Sequence, residues 1–132
     1  MMTEASVPSP YRLARVRLSI LCVDDSLEML EICRTLLETS GYQVYTAKSA
    51  AEALSVLRSH AIDAVVVDYQ MPDMNGEDLG REIKFAAPGM PVVMFSGAIS
   101  GNESFSCIDA CLSKGKGPIA LRKLLDSLLR SK

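Results

Sequence analysis

Two short apolar segments that end at aspartates constrain the fold of this chain more than any other feature. The β-branched run Ala64–Val67 ends at Asp68, and the run Ile20–Val23 ends at the pair Asp24 and Asp25. Apolar runs of this length, bounded by polar residues, are typical of buried strands in a parallel sheet. The chain therefore delivers three carboxylates to strand ends, and we predict that they form one site.

Amphipathic helical patterns alternate with the strands. A capping box at Ser49–Glu52 opens the helix after the second strand, which we place at Gln43–Ala47. The helix after the first strand and the last helix, which Pro118 opens, are predicted to turn an apolar stripe toward the core. A dimer face is the alternative for the last stripe. The two stripes are Met29, Ile32, Cys33, Leu36 and Leu37, and then Leu121, Leu124, Leu125, Leu128 and Leu129.

The alternation weakens after the fourth strand, which we place at Val92–Phe95. Glycines and serines with only scattered apolar residues fill Gly97–Ser106, so any helix there is predicted to be short or irregular. Ala110–Leu112 makes the fifth strand. The pattern as a whole predicts an α/β domain of five strand and helix units, (βα)5, whose fourth helix is short or irregular.

The connections between these strands predict how the sheet is wound. Strands joined through helices need right-handed crossovers, which make the strands parallel and place helices on both faces, as in a doubly wound sheet. All carboxyl ends of the strands then lie along one edge, where ligands bind in such sheets. This edge would hold Asp24, Asp25, Asp68, Ser96 and Lys114.

Three neighbouring carboxylates need a counter-charge. Two of them about 4 Å apart repel by roughly 4 kcal/mol at an effective dielectric constant near 20. Carboxylates, with a carbonyl and waters, suit Mg²⁺ better than zinc or copper. An aspartate beside such a cation, with a hydroxyl and an ammonium nearby, is equipped for phosphoryl transfer. Asp68 would attack as nucleophile, Ser96 would donate to a phosphoryl oxygen, and Lys114 would neutralise the moving group.

Four segments of the chain resemble the receiver domain of two-component response regulators. They are Val23-Asp24-Asp25, Val67-Asp68-Tyr69-Gln70-Met71-Pro72-Asp73-Met74-Asn75-Gly76, Phe95-Ser96-Gly97 and Leu112-Ser113-Lys114. The resemblance extends over residues 18–130, and its pattern Asp-x-x-Met-Pro-x-Met-x-Gly is highly specific. It implies a flavodoxin-like five-stranded sheet with the strand order 2-1-3-4-5.

The resemblance also implies roles for the acidic residues. Asp68 would accept phosphate, as a 4-aspartylphosphate, from a histidine kinase or a histidine phosphotransfer protein. Asp24 and Asp25 would bind Mg²⁺, with Asp25 and Asp68 as the more direct ligands. The backbone carbonyl of Gln70 would complete the shell. The domain would be a phosphoacceptor signalling module of a two-component phosphorelay.

The resemblance breaks down near the switch position. Ser96 matches the family's switch hydroxyl and Lys114 its invariant lysine, but Cys111 stands where most receivers have a mobile aromatic. Gly115 replaces the usual proline, so we expect a looser loop after the fifth strand. Only 18 positions separate Ser96 from Lys114, about one helical turn fewer than is typical. These changes fall on the face of the fourth helix, fifth strand and last helix. We predict that phosphorylation is retained and that an aromatic switch does not transmit it.

Composition and motifs exclude several other functions. A net charge of −2 over 132 residues gives no field that favours nucleic acid or an acidic membrane surface. The four cysteines lack zinc-site or redox spacing, and no apolar segment is long enough to span a bilayer, so we expect a cytoplasmic protein with free thiols. The chain has no dinucleotide or P-loop motif. Gln70 stands where a haloacid-dehalogenase phosphatase has its second aspartate. Apart from self-catalysed phosphorylation and dephosphorylation, we expect no enzyme.

The order of segments predicts a stand-alone receiver. Residues 1–17, which combine prolines with arginines, are expected to be a flexible extension, and residues 18–132 the receiver domain. With no output domain after the last helix, the protein would signal by contact with an unknown downstream protein or shuttle phosphate. The alternative is an interaction module, independent of phosphorylation, that uses the atypical face described above.

Overall fold

Five parallel strands and four helices form the domain in the computed structural model, which describes residues 17–130. The sheet order β2-β1-β3-β4-β5 is the predicted one, so the doubly wound flavodoxin-like fold is confirmed. The strands are β1 Ser19–Val23, β2 Gln43–Ala47, β3 Ala64–Val67, β4 Val92–Ser96 and β5 Ala110–Ser113; the helices are α1 Leu27–Thr39, α2 Ala50–Ser59, α3 Gly76–Ala86 and α4 Pro118–Arg130, with a short 3-10 helix at Lys114–Lys116.

The sequence predicts an N-terminal extension and no segment that spans a membrane. The predicted N-terminal extension, residues 1–17, lies outside the described residues except for Arg17. Among residues 17–130, no helix is both long and apolar enough to cross a membrane.

Three of the helices begin directly behind the carboxyl edge of the sheet. Each of them has a polar N-cap whose side chain accepts a hydrogen bond from the first turn. Ser26 accepts from the N–H of Met29 at 3.2 Å and opens α1. Ser49 accepts from the N–H of Glu52 at 3.1 Å, which confirms the predicted start of α2. Short polar segments therefore turn the chain at this edge and leave their side chains beside it.

The core lies in two layers, one on each face of the sheet. Because successive strand residues point to opposite faces, Ile20 and Cys22 of β1 pack toward α1 and α4, while Leu21 and Val23 pack toward α2 and α3. Both faces of β1 and β3 are fully covered. The apolar character of these strands follows from this double burial.

The apolar stripe of α1 is rotated relative to the prediction. Its buried residues are Leu30, Cys33 and Leu37, at the spacing i, i+3 and i+7. Ile32, which the sequence placed inward, is 43% exposed. It lies with Ile119 in a surface groove of about 560 Å³ between α1 and α4. The prediction for Ile32 was wrong because the sheet and α4 leave room for only a narrow stripe of α1.

Residues 97–109, which we call the β4–β5 connection, contain no helix, in agreement with the predicted irregular segment. Apolar side chains cover this part of the sheet instead. Ile99 is buried in the core layer beneath α2 and α3, and Phe105 and Ile108 pack against the same layer. The connection thus performs the covering role that a crossover helix has in other parts of the fold.

An ion pair and a close backbone approach fix the β4–β5 connection to α3. The ammonium of Lys84 lies 2.7 Å from Asp109, whose carboxylate also accepts the N–H of Val92 at 2.7 Å. At Gly80, a Cβ atom would lie 2.7 Å from the side chain of Ile108 and 3.1 Å from the carbonyl oxygen of Cys107. The connection can approach α3 this closely because residue 80 has no side chain.

Candidate functional site

The predicted carboxylates lie side by side because β1 and β3 are neighbours in the sheet. Val23 and Val67 are paired in register, so Asp24 and Asp68 follow at the same level. The N–H of Asp68 donates to the carbonyl of Val23 at 3.1 Å, which continues the hydrogen-bond ladder to Asp68. One oxygen from each carboxylate of Asp24, Asp25 and Asp68 lies within 4.8 Å of the other two.

Asp24 is the most enclosed of the three. It is 5% exposed, and one oxygen accepts the N–H of Ser26 at 2.9 Å while the other lies 2.7 Å from the ammonium of Lys114. Burial raises the pKa of Asp24, and the charge of Asp68 adds to this, while Lys114 and Ser26 offset part of the rise. Asp25, by contrast, is exposed and free to turn toward a cation.

Lys114 bridges two of the carboxylates. Its ammonium lies 2.7 Å from Asp24 and 3.3 Å from Asp68. Burial by itself lowers the pKa of Lys114, but the two carboxylates reverse this and the net pKa is raised. The lysine therefore stays charged and provides the only ammonium that the described ion pairs bring to these aspartates. We call Asp24, Asp25, Asp68 and Lys114 the carboxylate edge.

The loop after β5, which we expected to be looser, forms a turn of 3-10 helix. It begins at Lys114, and the hydroxyl of Ser113 accepts the N–H of Gly115 at 3.2 Å. Among residues 17–130, every peptide bond is trans, including the bond before Gly115. The position of Lys114 is thus set by a capped turn in place of the family's proline.

The predicted switch positions lie on β4 and β5. Ser96 ends β4, is fully buried, and its hydroxyl accepts the N–H of Ala98 at 3.1 Å. Cys111 lies on β5 opposite Met94 and is half-buried; burial raises its thiol pKa, and Glu103 adds to the effect. Ser96 and Cys111 therefore lie on the two strands that the β4–β5 connection joins.

The loop after Asp68 requires glycine at position 76. A Cβ atom at this position would lie 2.3 Å from the carbonyl oxygen of Asp68, well inside any allowed contact. The N–H of Gly76 donates to the carbonyl of Tyr69 at 2.8 Å. Only glycine allows the first turn of α3 to approach the backbone of the phosphoacceptor candidate so closely. Gln70, predicted to offer its carbonyl to Mg²⁺, lies exposed in the same loop.

Two contacts of this loop were not predicted from the sequence. The carboxylate of Asp73 accepts the N–H groups of Ala50 and Ala51 at 3.1 and 3.0 Å. The rings of Tyr69 and Phe105 stack with centroids 5.9 Å apart. Both contacts join residues more than 20 positions apart, so no local spacing signals them. The strand order, which places this loop beside α2 and the β4–β5 connection, is the only sequence-derived guide to them.

The carboxylate edge fits a hard divalent cation. Its donors are all oxygens, and the three carboxylates are close enough to share one ion. A single ammonium leaves an excess of negative charge, which Mg²⁺ would balance better than a soft metal. The same arrangement places a carboxylate oxygen of Asp68 3.3 Å from the ammonium of Lys114.

The sheet order and this edge define a doubly wound α/β domain of the flavodoxin-like class with an oxygen-rich cation pocket. Residues 20–126 match the response regulator receiver domain, and the chain belongs to that family. Receiver domains are phosphoacceptor signalling modules of two-component systems and bind Mg²⁺ at an acidic pocket. The family assignment therefore agrees with the resemblance found in the sequence.

Curated relatives match part of the chain. The transcriptional regulatory protein GlrR of Escherichia coli is 40% identical over 77 residues, which are 58% of this chain and 17% of that protein. The response regulator SaeR of Staphylococcus aureus is 40% identical over 74 residues, 56% of this chain and 32% of that protein. The chain thus spans less than a third of the length of these relatives.

Solved receiver domains match almost the whole fold. The response regulator TrrA of Thermotoga maritima, in complex with Mg²⁺ and BeF, is 26% identical with a TM-score of 0.78, covering 85% of this chain and 99% of that chain. A receiver domain protein of Methanospirillum hungatei is 27% identical with a TM-score of 0.76, covering 87% and 95%.

Proposed function

We propose that Asp68 accepts a phosphoryl group from a histidine kinase or a histidine phosphotransfer protein in the cytoplasm, and that the phosphorylated chain signals by contact with a downstream protein. The observation that carries this proposal is the bridge from Lys114 to Asp24 and Asp68, with Asp25 beside them. This bridge brings an ammonium and neighbouring carboxylates together at one strand edge, which supports phosphotransfer to Asp68 with the help of a cation.

The residues present can perform the transfer. A carboxylate oxygen of Asp68 attacks the phosphorus of a phosphohistidine, and the P–N bond breaks as the O–P bond forms. The imidazole nitrogen leaves with the electron pair and takes up a proton. Lys114, already 3.3 Å from Asp68, stabilises the negative charge on the transferred group. Asp68 ends as a mixed anhydride, the 4-aspartylphosphate.

Ser96 and the cation ligands complete the proposed site. A serine hydroxyl both accepts and donates, so Ser96 can keep the N–H of Ala98 while its own O–H donates to a phosphoryl oxygen. Mg²⁺, held by Asp24, Asp25, Asp68 and the backbone carbonyl of Gln70, would supply positive charge to the phosphoryl oxygens when bound. Asp24 would then share Lys114 and the cation between its two oxygens.

Labelling with a small phosphodonor tests the proposal. Wild-type protein with Mg²⁺ and labelled acetyl phosphate should take up acid-labile phosphate, and Asp68→Asn should take up none, because the amide oxygen is a far weaker nucleophile. The matched control is Asp78→Asn, since Asp78 is an exposed aspartate of α3 that pairs with Arg81 at 2.8 Å. Equal labelling of wild type and Asp68→Asn would disprove the proposal.

The alternative, an interaction module that does not depend on phosphorylation, is favoured by the environment of Cys111. This half-buried thiol stands in the aromatic position, beside a connection without a helix. Beryllofluoride with Mg²⁺ separates the two functions, because it imitates the aspartyl phosphate. Amide NMR shifts in residues 97–117 support a phosphorylation switch if they move and the alternative if they stay unchanged.

A further inference from the structure

The loop of residues 69–75 is held at three points. At its start, Asp68 is bonded into the sheet through Val23. At its end, the side chain of Asn75 caps α3 by accepting the N–H of Asp78 at 2.8 Å. The third point is Asp73, which binds the N–H groups at the start of α2. Of these three hydrogen-bonded contacts, only that of Asp73 reaches a helix that is not joined directly to the loop.

We propose that Asp73 is a positioning residue for the phosphoacceptor site, fixing the loop against α2 so that the backbone carbonyl of Gln70 is placed for Mg²⁺. The inference rests on the proposed function and adds a residue to it. Asp73 does not touch the reacting atoms. Its effect would reach Gln70 through the two residues of backbone that lie between them, Met71 and Pro72.

The contact of Asp73 is well suited to this task. Its two oxygens accept from Ala50 and Ala51 at 3.1 and 3.0 Å, so the carboxylate is held in one orientation. Both donors belong to the positive end of α2. These N–H groups lower the pKa of Asp73, which therefore stays ionised at neutral pH.

Gln70 needs such an anchor because it lies exposed. A carbonyl on an exposed loop samples several orientations unless the backbone is fixed on both sides of it. Asp68 provides a hydrogen-bonded point before Gln70, and among the described hydrogen bonds to the loop those of Asp73 are the nearest after it. With both in place, the carbonyl would be oriented before a cation arrives.

The hydrogen bonds of Asp73 to Ala50 and Ala51 do more than cap α2. Ser49 already accepts the N–H of Glu52 at 3.1 Å, and Glu52 in turn accepts the N–H of Lys48 at 2.8 Å. The helix thus has an N-cap of its own, and Asp73 satisfies two further N–H groups of its first turn, those of Ala50 and Ala51. Asp73 adds a link between α2 and the loop, and this link is what the experiment must isolate.

Two variants of the full chain separate the link from the cap. Asp73→Ala removes the bonds to Ala50 and Ala51, while Ser49→Ala removes the cap and leaves the loop untouched. Both should lower the unfolding midpoint by similar amounts. In a Mg²⁺ titration followed by the amide NMR signal of Asp68, Asp73→Ala should raise the dissociation constant roughly 3- to 10-fold, somewhat less than loss of a ligand's own partner. Ser49→Ala should change it by less than about twofold.

The Mg²⁺ dependence of the labelling rate separates an effect on cation binding from an effect on the chemical step. In labelling with acetyl phosphate, Asp73→Ala should need more Mg²⁺ to reach half-maximal rate but should approach the wild-type rate at saturating Mg²⁺. Asp73→Asn keeps one acceptor oxygen, so the Mg²⁺ concentration that it needs for half-maximal rate should lie between those of the wild type and Asp73→Ala. It also provides a test if the alanine variant does not fold.

The outcomes are distinct. Equal effects of Asp73→Ala and Ser49→Ala on Mg²⁺ affinity, or no effect of either, would overturn the role of Asp73 while the proposed function stands. Wild-type protein that neither binds Mg²⁺ nor takes up phosphate would overturn the proposed function and this inference with it.

Discussion

The β4–β5 connection begins at the same side of the sheet as the carboxylate edge, but the two regions are built differently. At the edge, Asp24, Asp68 and Lys114 are joined by charged contacts of 2.7 and 3.3 Å, on backbone that belongs to the sheet or to a capped turn. The connection forms no helix, and its side chains Ile99 and Phe105 pack directly on the core.

This difference shows which parts of the domain depend on backbone and which on individual side chains. The edge needs neighbouring strands and a glycine at position 76, so its geometry follows from the fold. The connection needs only enough apolar surface to cover the sheet, and many side chains can provide that. The part that would carry out phosphotransfer is therefore strongly constrained, while the part that would report it can vary.

The largest effect is expected from adding a single methyl group beside Asp68. In Gly76→Ala the new Cβ would lie 2.3 Å from the carbonyl oxygen of Asp68, so α3 or the strand end must shift. We expect a loss of about 3 kcal/mol in the free energy of unfolding in urea, at the upper end for overpacking. Gly89→Ala is the control, because nothing lies within 4 Å of its added Cβ, and it should change stability by less than about 0.5 kcal/mol. Similar stabilities of the two variants would show that the edge tolerates backbone displacement.

A smaller effect is expected from removal of the bridging ammonium. Lys114→Met leaves Asp24 buried with one unpaired oxygen, and we expect a loss of about 2 kcal/mol at pH 7, typical of a lost bond to a charged group. Lys116→Met, in the same short turn but exposed, should have little effect. Equal losses in the two variants would contradict the pairing of Lys114 with the edge.

The pH dependence of this loss follows from the raised pKa of Asp24. Because the folded state holds the proton more tightly than the unfolded chain, Asp24 contributes less stability as pH rises from about 3.9 through its folded pKa. Removing Lys114 raises that pKa further. The gap between Lys114→Met and wild type should therefore be small near pH 4, widen with increasing pH, and level off once Asp24 is ionised. A gap that stays constant from pH 4 to 7 would contradict this cause.

The smallest effect is expected from the stacking of Tyr69 on Phe105, which links the residue after Asp68 to the β4–β5 connection. Tyr69 follows Asp68 directly and stacks on Phe105 of the connection. A double-mutant cycle with Tyr69→Leu and Phe105→Leu should give a coupling of about 0.5–1 kcal/mol. Tyr45→Leu, on β2 at the opposite end of the sheet from β5, should show none with Phe105→Leu. Absence of coupling at Tyr69 would mean that the two regions are energetically independent.

Much of the fold and of the site followed from the sequence because few arrangements satisfy it. β-branched runs that end in acids, separated by capped helices, leave a parallel sheet with Asp24, Asp25 and Asp68 at one edge. Neighbouring strands then bring the carboxylates together without any further specification. The structure shows where the site residues lie, but their roles remain predictions, since these concern a reaction, a bound cation and a movement. The residues are Asp24, Asp25, Asp68, Gln70, Ser96, Cys111 and Lys114.

The features that escaped the sequence depend on tertiary packing. Ile32 fits a helical apolar stripe, yet the packing of α1 against α4 and the sheet leaves it at the surface. The bonds of Asp73 to Ala50 and Ala51 join distant segments. Lys114 was predicted to lie at the same edge as Asp24, but their ion pair of 2.7 Å was not predicted. Such contacts have no periodicity, so only the assembled sheet specifies which side chains meet.

The missing crossover helix also bears on how the domain opens. β5 is an edge strand whose residues are all only partly buried, and it is covered by a connection without helical hydrogen bonds. In native-state hydrogen exchange, β5 and residues 97–109 should exchange through local opening at low free energy, whereas β1 and β3 should exchange only on global unfolding. The domain would then consist of two cooperative units, and the weaker one could detach and reform while the aspartates keep their places.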